Sequence, residues 1–186
     1  LAAFFAAGVV AILICIGFVD QPVAVAVERL QGARILFQAM AAPSLLALPG
    51  ATIVLVLAAF RRVPRAGIIV SAAVLAATAA KDELKWAFGR PWPETWLKWG
   101  DPTWKPFIDN VFYGSFPSGH TAYISAPMAV LWVVAPRWRA VWGGLVLSVM
   151  AGLVLADYHF VGDVIGGLLV GVGCAVGTMR VMRLPG

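Results

Sequence analysis

The chain is short of the residues from which soluble catalytic sites and stapled domains are built. Among 186 residues there are two histidines, two cysteines and three tyrosines, and only 12% of side chains are charged, against about 25% in a soluble domain. Cys15 and Cys174 both lie inside apolar runs with no ligand-type neighbour. They read as small packing residues, which excludes a disulfide framework and a cysteine metal site. The formal charge is +5, but the basic residues stand in small groups at segment ends, which excludes a nucleic-acid surface. No basic leader or small-residue cleavage site precedes the opening apolar stretch 1–19, so it is expected to be a first span and not a signal peptide.

What is present is apolar. Hydrophobic residues make up 61% of the chain and mean hydropathy is +0.89, the composition of a helical membrane protein, here one domain over 1–186. Six apolar blocks are expected to span: 1–19, 45–60, 66–80 continuing towards Phe88, 121–135, 140–156 and 164–179. Turns after the second, fourth and sixth hold Arg61, Arg62, Arg65, Arg137, Arg139, Arg180 and Arg183 without an acidic companion, while all nine acidic residues fall on the other side or at its mouth. The positive-inside rule then puts both termini in the cytoplasm and His120 and His159 together on the outer side. The segment 21–42 reads as an interfacial amphipathic helix or a plain connecting loop. The outer loop 89–116, rich in Pro, Trp and Asp, is expected to cap the bundle. Its tryptophans, with Trp86, are expected in an interfacial belt.

Chemistry concentrates at three places. Pro117-Ser118-Gly119-His120 opens the fourth span, where a capping hydroxyl, a glycine and free N–H groups form an anion site beside an imidazole. His159 and Asp163 are one helical turn apart, so the carboxylate can fix the tautomer and leave the other ring nitrogen as a nucleophile or base. Lys85 ends the third span and Arg90 follows Gly89; both are expected to hold an anion. The sixth span carries Gly167-x3-Gly171 and Gly173-x3-Gly177, read as helix packing.

In this order the residues resemble the type 2 phosphatidic acid phosphatases, relatives of the vanadium haloperoxidases, whose motifs are K-x6-R-P, P-S-G-H and S-R-x5-H-x3-D. The resemblance covers nearly the whole chain. It implies an all-α, six-transmembrane-helix bundle with the active site facing outward; the high alanine content and short loops point to a bacterial inner membrane, so the outer side is expected to be periplasmic. The implied activity is hydrolysis of a lipid phosphate or diphosphate without metal or cofactor. His159 would attack phosphorus to form a phosphohistidine, oriented by Asp163. His120 would serve as acid and base, and Lys85, Arg90, Ser118 and Gly119 would hold phosphate. Two motif arginines are absent, their positions falling on Trp92 and Leu153, and the motif serine falls on Gly152. The same parts would also serve a phosphotransferase with an acceptor lipid, or a catalytically impaired phospholipid-binding relative.

Overall fold

A computed structural model describes residues 1–182; Arg183, one of the arginines used for orientation, lies outside them. Among the described residues the fold is all-helical, with a single isolated β-bridge between Pro91 and Tyr113. In chain order the helices are α1 (Ala2–Ile14), α2 (Asp20–Glu28), α3 (Arg34–Ala41), α4 (Ala47–Phe60), α5 (Arg65–Phe88), α6 (Pro93–Trp99), α7 (Gly119–Val134), α8 (Arg139–Leu155) and α9 (Val161–Val181). A π-helical turn at Cys15–Val19 joins α1 to α2 without a break. Among the described residues four helical stretches are long and apolar enough to cross a membrane: Ala2–Glu28, Arg34–Phe60, Pro136–Leu155 and Val161–Val181; Gly119–Val134 is apolar but shorter.

The expected interfacial segment 21–42 is divided. Its first part continues the opening helix as α2, a turn follows at Leu30, and α3 then runs through a 3-10 turn into α4.

The core is made by α5, α7 and α9. Ile69, Ala73 and Ala77 meet Ala122, Ala126 and Val130, with Ala175 and Met179 closing the third side. The small side chains let the helix axes approach, and in lipid it is such packing, not water exclusion, that holds helices together. A Cβ at Gly167 would lie 2.3 Å from the Ser118 carbonyl, and one at Gly171 would lie 2.0 Å from the Ser125 hydroxyl. The first glycine pair therefore seats α9 against α7. The second pair does not work this way, for Gly173 has only ordinary contact with Phe5 and Gly177 meets nothing within 4 Å.

A second cluster ties α8 to α3, α7 and α9 through Ala41, Ile124, Val149, Leu153 and Val164. At Gly152 a Cβ would lie 2.6 Å from the Phe37 carbonyl and 2.9 Å from the Ala41 nitrogen. Glycine stands there because the backbone of α3 lies directly against α8. Gly89 ends α5 in the left-handed conformation at φ 55°, the usual glycine stop, and turns the chain so that Arg90 points back into the bundle.

Candidate active site

His120 and His159 line one cavity of about 420 Å³, together with Trp92, Leu153, Gln38 and Tyr158. A larger cavity of about 550 Å³ between α1, α7, α8 and α9 is apolar and neither histidine borders it. The smaller one is therefore the candidate site. α7 delivers His120 from its first turn, and the short α8–α9 connection delivers His159.

His159 is 3% exposed. Its Nδ1 stands 3.4 Å from Asp163 Oδ2 and 3.5 Å from the Ser115 hydroxyl. The same carboxylate oxygen accepts from the Phe160 N–H at 3.0 Å and from the Ser115 hydroxyl. With Nδ1 engaged, Nε2 is the nitrogen left for chemistry. Burial pushes His159 below the ordinary histidine range; Asp163 opposes that shift and Lys85 adds to it. His120, one residue ahead of the expected span 121–135, is pushed down to about 4 by burial, then by His159, Lys85 and Lys81. Both rings are thus neutral at neutral pH in the protein alone. An anion placed among Lys85, Lys81 and His120 reverses the sign of the charge effect on His120.

The start of α7 is crossed by two lysines. A Cβ at Gly119 would lie 3.0 Å from Lys81 Cδ and 3.8 Å from Lys85 Cε. Lys85 donates to the Gly114 carbonyl and sits 4.7 Å from the Trp92 ring. Lys81 pairs with Asp82 and lies 5.4 Å from the Tyr123 ring. The first N–H groups of a helix have no partner inside it, and here they lie beside two lysine side chains, the surroundings that suit an anion. Ser118 takes the capping part expected of it, with its hydroxyl turned to Thr121 and not to the cavity. It is fully buried; its hydroxyl accepts from Thr121 N–H at 3.4 Å and Thr121 Oγ1 at 3.2 Å, and its own N–H donates to the Asp163 carbonyl at 3.0 Å. Its geometry is that of a cap and a clasp between α7 and α9.

Arg90 lies elsewhere than expected. It is 5% exposed, with NH1 2.6 Å from Asp163 Oδ1 and NH2 2.6 Å from Asp20 Oδ2. The guanidinium stands behind Asp163, on the side away from the histidines' cavity, and packs 4.3 Å from the Phe160 ring centroid.

The two positions where the motif arginines would fall are both cavity walls. Trp92 is tilted over His159 at 5.0 Å between ring centroids, and its indole N–H donates to the Val111 carbonyl at 3.0 Å. It was expected in an interfacial belt; the outer segment 89–116 instead folds α6 and its flanks over the site. Leu153, 1% exposed, faces the cavity where α3 presses on α8. Asp20 and Ser115 were also missed. Asp20 had a signal, a carboxylate at the end of a nineteen-residue apolar run, since such residues in membrane segments mark functional positions. Ser115 had none. Among the described residues no group of three or more His, Cys, Asp or Glu could hold a metal ion.

Comparison with known proteins follows the same outline. A family model described as "PAP2 superfamily" matches residues 66–185. Two curated relatives, both named Lipid A 1-phosphatase, come from Rhizobium etli and Rhizobium johnstonii. Each is 32% identical over 88 residues, 47% of this chain, and the match covers 38% and 36% of their own lengths. No solved structure matches significantly.

Proposed function

Because the chain belongs to the PAP2 superfamily, we propose that it is a membrane-embedded lipid phosphate phosphatase working through a phosphohistidine. The observation that carries this reading is that both histidines of the chain border one cavity, with Asp163 on Nδ1 of His159. The names of the two relatives support a lipid phosphate ester as substrate class. We place the six helical segments across a bacterial inner membrane on composition and the bacterial origin of the relatives, with both termini cytoplasmic and the cavity periplasmic on the arginine distribution.

In this reading Lys85, with Lys81 and the N–H of Gly119, holds the phosphoryl oxygens. Catalysis of this kind rests on positioning and charge stabilisation. Lysine supplies point charges where arginine would supply a fork, and Trp92 and Leu153 leave the cavity wall apolar for the alcohol end of the substrate. Nε2 of His159 attacks phosphorus and the ester P–O bond breaks. The leaving oxygen takes a proton from His120, which the bound phosphate has helped to protonate. His120 then takes a proton from water, whose oxygen attacks the phosphohistidine; the P–N bond breaks, releasing phosphate and neutral His159. No metal takes part in these steps.

The test is phosphate release by the purified protein in detergent from lipid A phosphate, phosphatidic acid, phosphatidylglycerol phosphate and polyprenyl diphosphate. At least one is expected to be turned over, with loss of at least about 10³-fold in His159→Ala. Wild-type turnover by His159→Ala contradicts the reading. A phosphate lipid bound but never hydrolysed favours a binding protein instead.

A further inference from the structure

Asp20 opens α2, and its carboxylate is buried, the residue being 1% exposed. The π-helical turn Cys15–Val19 lies immediately before it, an irregularity that often marks a functional position. Phe18, two residues earlier, is 79% exposed. Both Asp20 oxygens are engaged: Oδ2 with Arg90 NH2 at 2.6 Å, and Oδ1 with the Gly162 N–H at 2.9 Å. Gly162 has no room for a side chain here, since a Cβ would lie 2.9 Å from Asp20 Oδ2 and 3.4 Å from Arg90 NH1. The N-terminal helix thus reaches the start of α9 through a charged contact 142 residues away in sequence.

Arg90 uses one nitrogen on each of two carboxylates, Asp20 and Asp163. Left with Asp163 alone, a guanidinium favours the bidentate fork that takes both carboxylate oxygens. Asp163 Oδ2 is the oxygen that serves His159, Ser115 and the Phe160 N–H. By occupying NH2, Asp20 keeps Arg90 on Oδ1 and leaves Oδ2 to the imidazole. Charge works in the same direction. Two carboxylates and one guanidinium leave one net negative charge behind His159, which steadies the positive charge the ring gains as it attacks. Without Asp20 the Arg90–Asp163 pair is neutral.

We propose that Asp20 and Arg90 are positioning residues: Arg90 fixes the Asp163 carboxylate, and Asp20 holds Arg90 in the arrangement that leaves one Asp163 oxygen for His159. The proposal rests on the phosphatase reading for its kinetic test, and it assigns Arg90 to the nucleophile's support instead of to the phosphate.

The experiment compares the purified full chain with Asp20→Asn and Arg90→Lys on whichever lipid phosphate the wild type hydrolyses. Asn is isosteric and keeps an oxygen for the Gly162 N–H. The expected result is a kcat lower by at least about tenfold with KM within about twofold, because Lys85 and Gly119 are untouched. A second readout needs no turnover. With only two histidines in the chain, ring ¹⁵N spectra resolve the His159 tautomer. The wild type should show Nδ1–H with Nε2 unprotonated, and Asp20→Asn should lose that single tautomer. Where Asp20→Asn does not fold, Arg90→Lys carries the same expectation. An unchanged kcat and spectrum, or a rise in KM at constant kcat, overturns the proposal; the second outcome would return Arg90 to the phosphate. If the wild type hydrolyses no lipid phosphate, the phosphatase reading fails while the spectra still decide the Asp20–Arg90 arrangement.

Discussion

Burial acts on two neighbouring residues, His159 and Asp157, in opposite senses. His159 is pushed below its ordinary range, so the unfolded chain takes up its proton first as pH falls. The stability due to neutral His159 is present above the ordinary value of 6.5 and is lost on acidification. His120, lowered to about 4, works the same way. Asp157 is raised to about 6, chiefly by burial, with Arg34 opposing and Glu28 and Glu94 adding. Its folded form holds the proton more tightly, so it gains stability as pH falls through about 6 and loses it as pH rises. Thermal unfolding in detergent between about pH 5 and pH 8 should therefore respond to both sites. His159→Gln is expected to flatten the loss of stability on acidification. Asp157→Asn is expected to raise stability at the alkaline end and to steepen the acid-side loss, since asparagine imitates the protonated carboxyl and tolerates the positive φ of 59° found there. An acid-side slope identical in wild type and His159→Gln would contradict the burial account of that ring.

The helices explain why the cavity has the walls it has. Gly152 and Leu153 stand where a serine and an arginine were expected, and the cause lies in α3, whose backbone occupies the space beside α8. A longer residue at 152 would push α3 away, and with it Gln38, which donates to the Tyr158 hydroxyl at 2.7 Å across the cavity. The glycines of α9 act in the same way on α7. Gly167→Val should destabilise the protein by about 1–3 kcal/mol, because its side chain would meet the Ser118 carbonyl and Thr121, whereas Gly177→Val meets nothing within 4 Å and should be close to neutral. Melting temperatures of the two variants in the same detergent check this; equal shifts would mean that the first glycine pair does not seat the helix.

Much of this is legible in the sequence. His159 and Asp163 meet as their i, i+4 spacing implied, a local feature that any helical fold preserves, and His120 borders the same cavity, as two histidines at segment mouths on one side suggested. The use of Gly167 and Gly171 as a packing face was legible too. What the sequence did not disclose is long-range. Arg90 looks like an anion ligand until Asp20, 70 residues away, is seen on its other side. Trp92 reads as one interfacial tryptophan among several, and only the folding of 89–116 over the bundle sets it on His159. Ser118 suits a phosphate ligand equally well until its hydroxyl is found turned to Thr121.

At the scale of the whole molecule, α5 carries the lysines, α7 carries His120 and the α8–α9 connection carries His159, and the N-terminal helices close the site from outside. α1 packs on α9, the π-helical turn brings Asp20 to Gly162, and α3 forms a cavity wall. The family match begins at residue 66, so these N-terminal contributions belong to a part of the chain that the match does not include. The central claim is that phosphorus passes through His159, and trapping that intermediate tests it most directly. The protein would be mixed with a ³²P-labelled lipid phosphate that it hydrolyses and denatured in alkali, where a phosphorus–nitrogen bond survives. Label on the peptide that contains His159, absent in His159→Ala, is the predicted result. Steady hydrolysis by the wild type with no label on His159, and equal hydrolysis by His159→Ala, would contradict it.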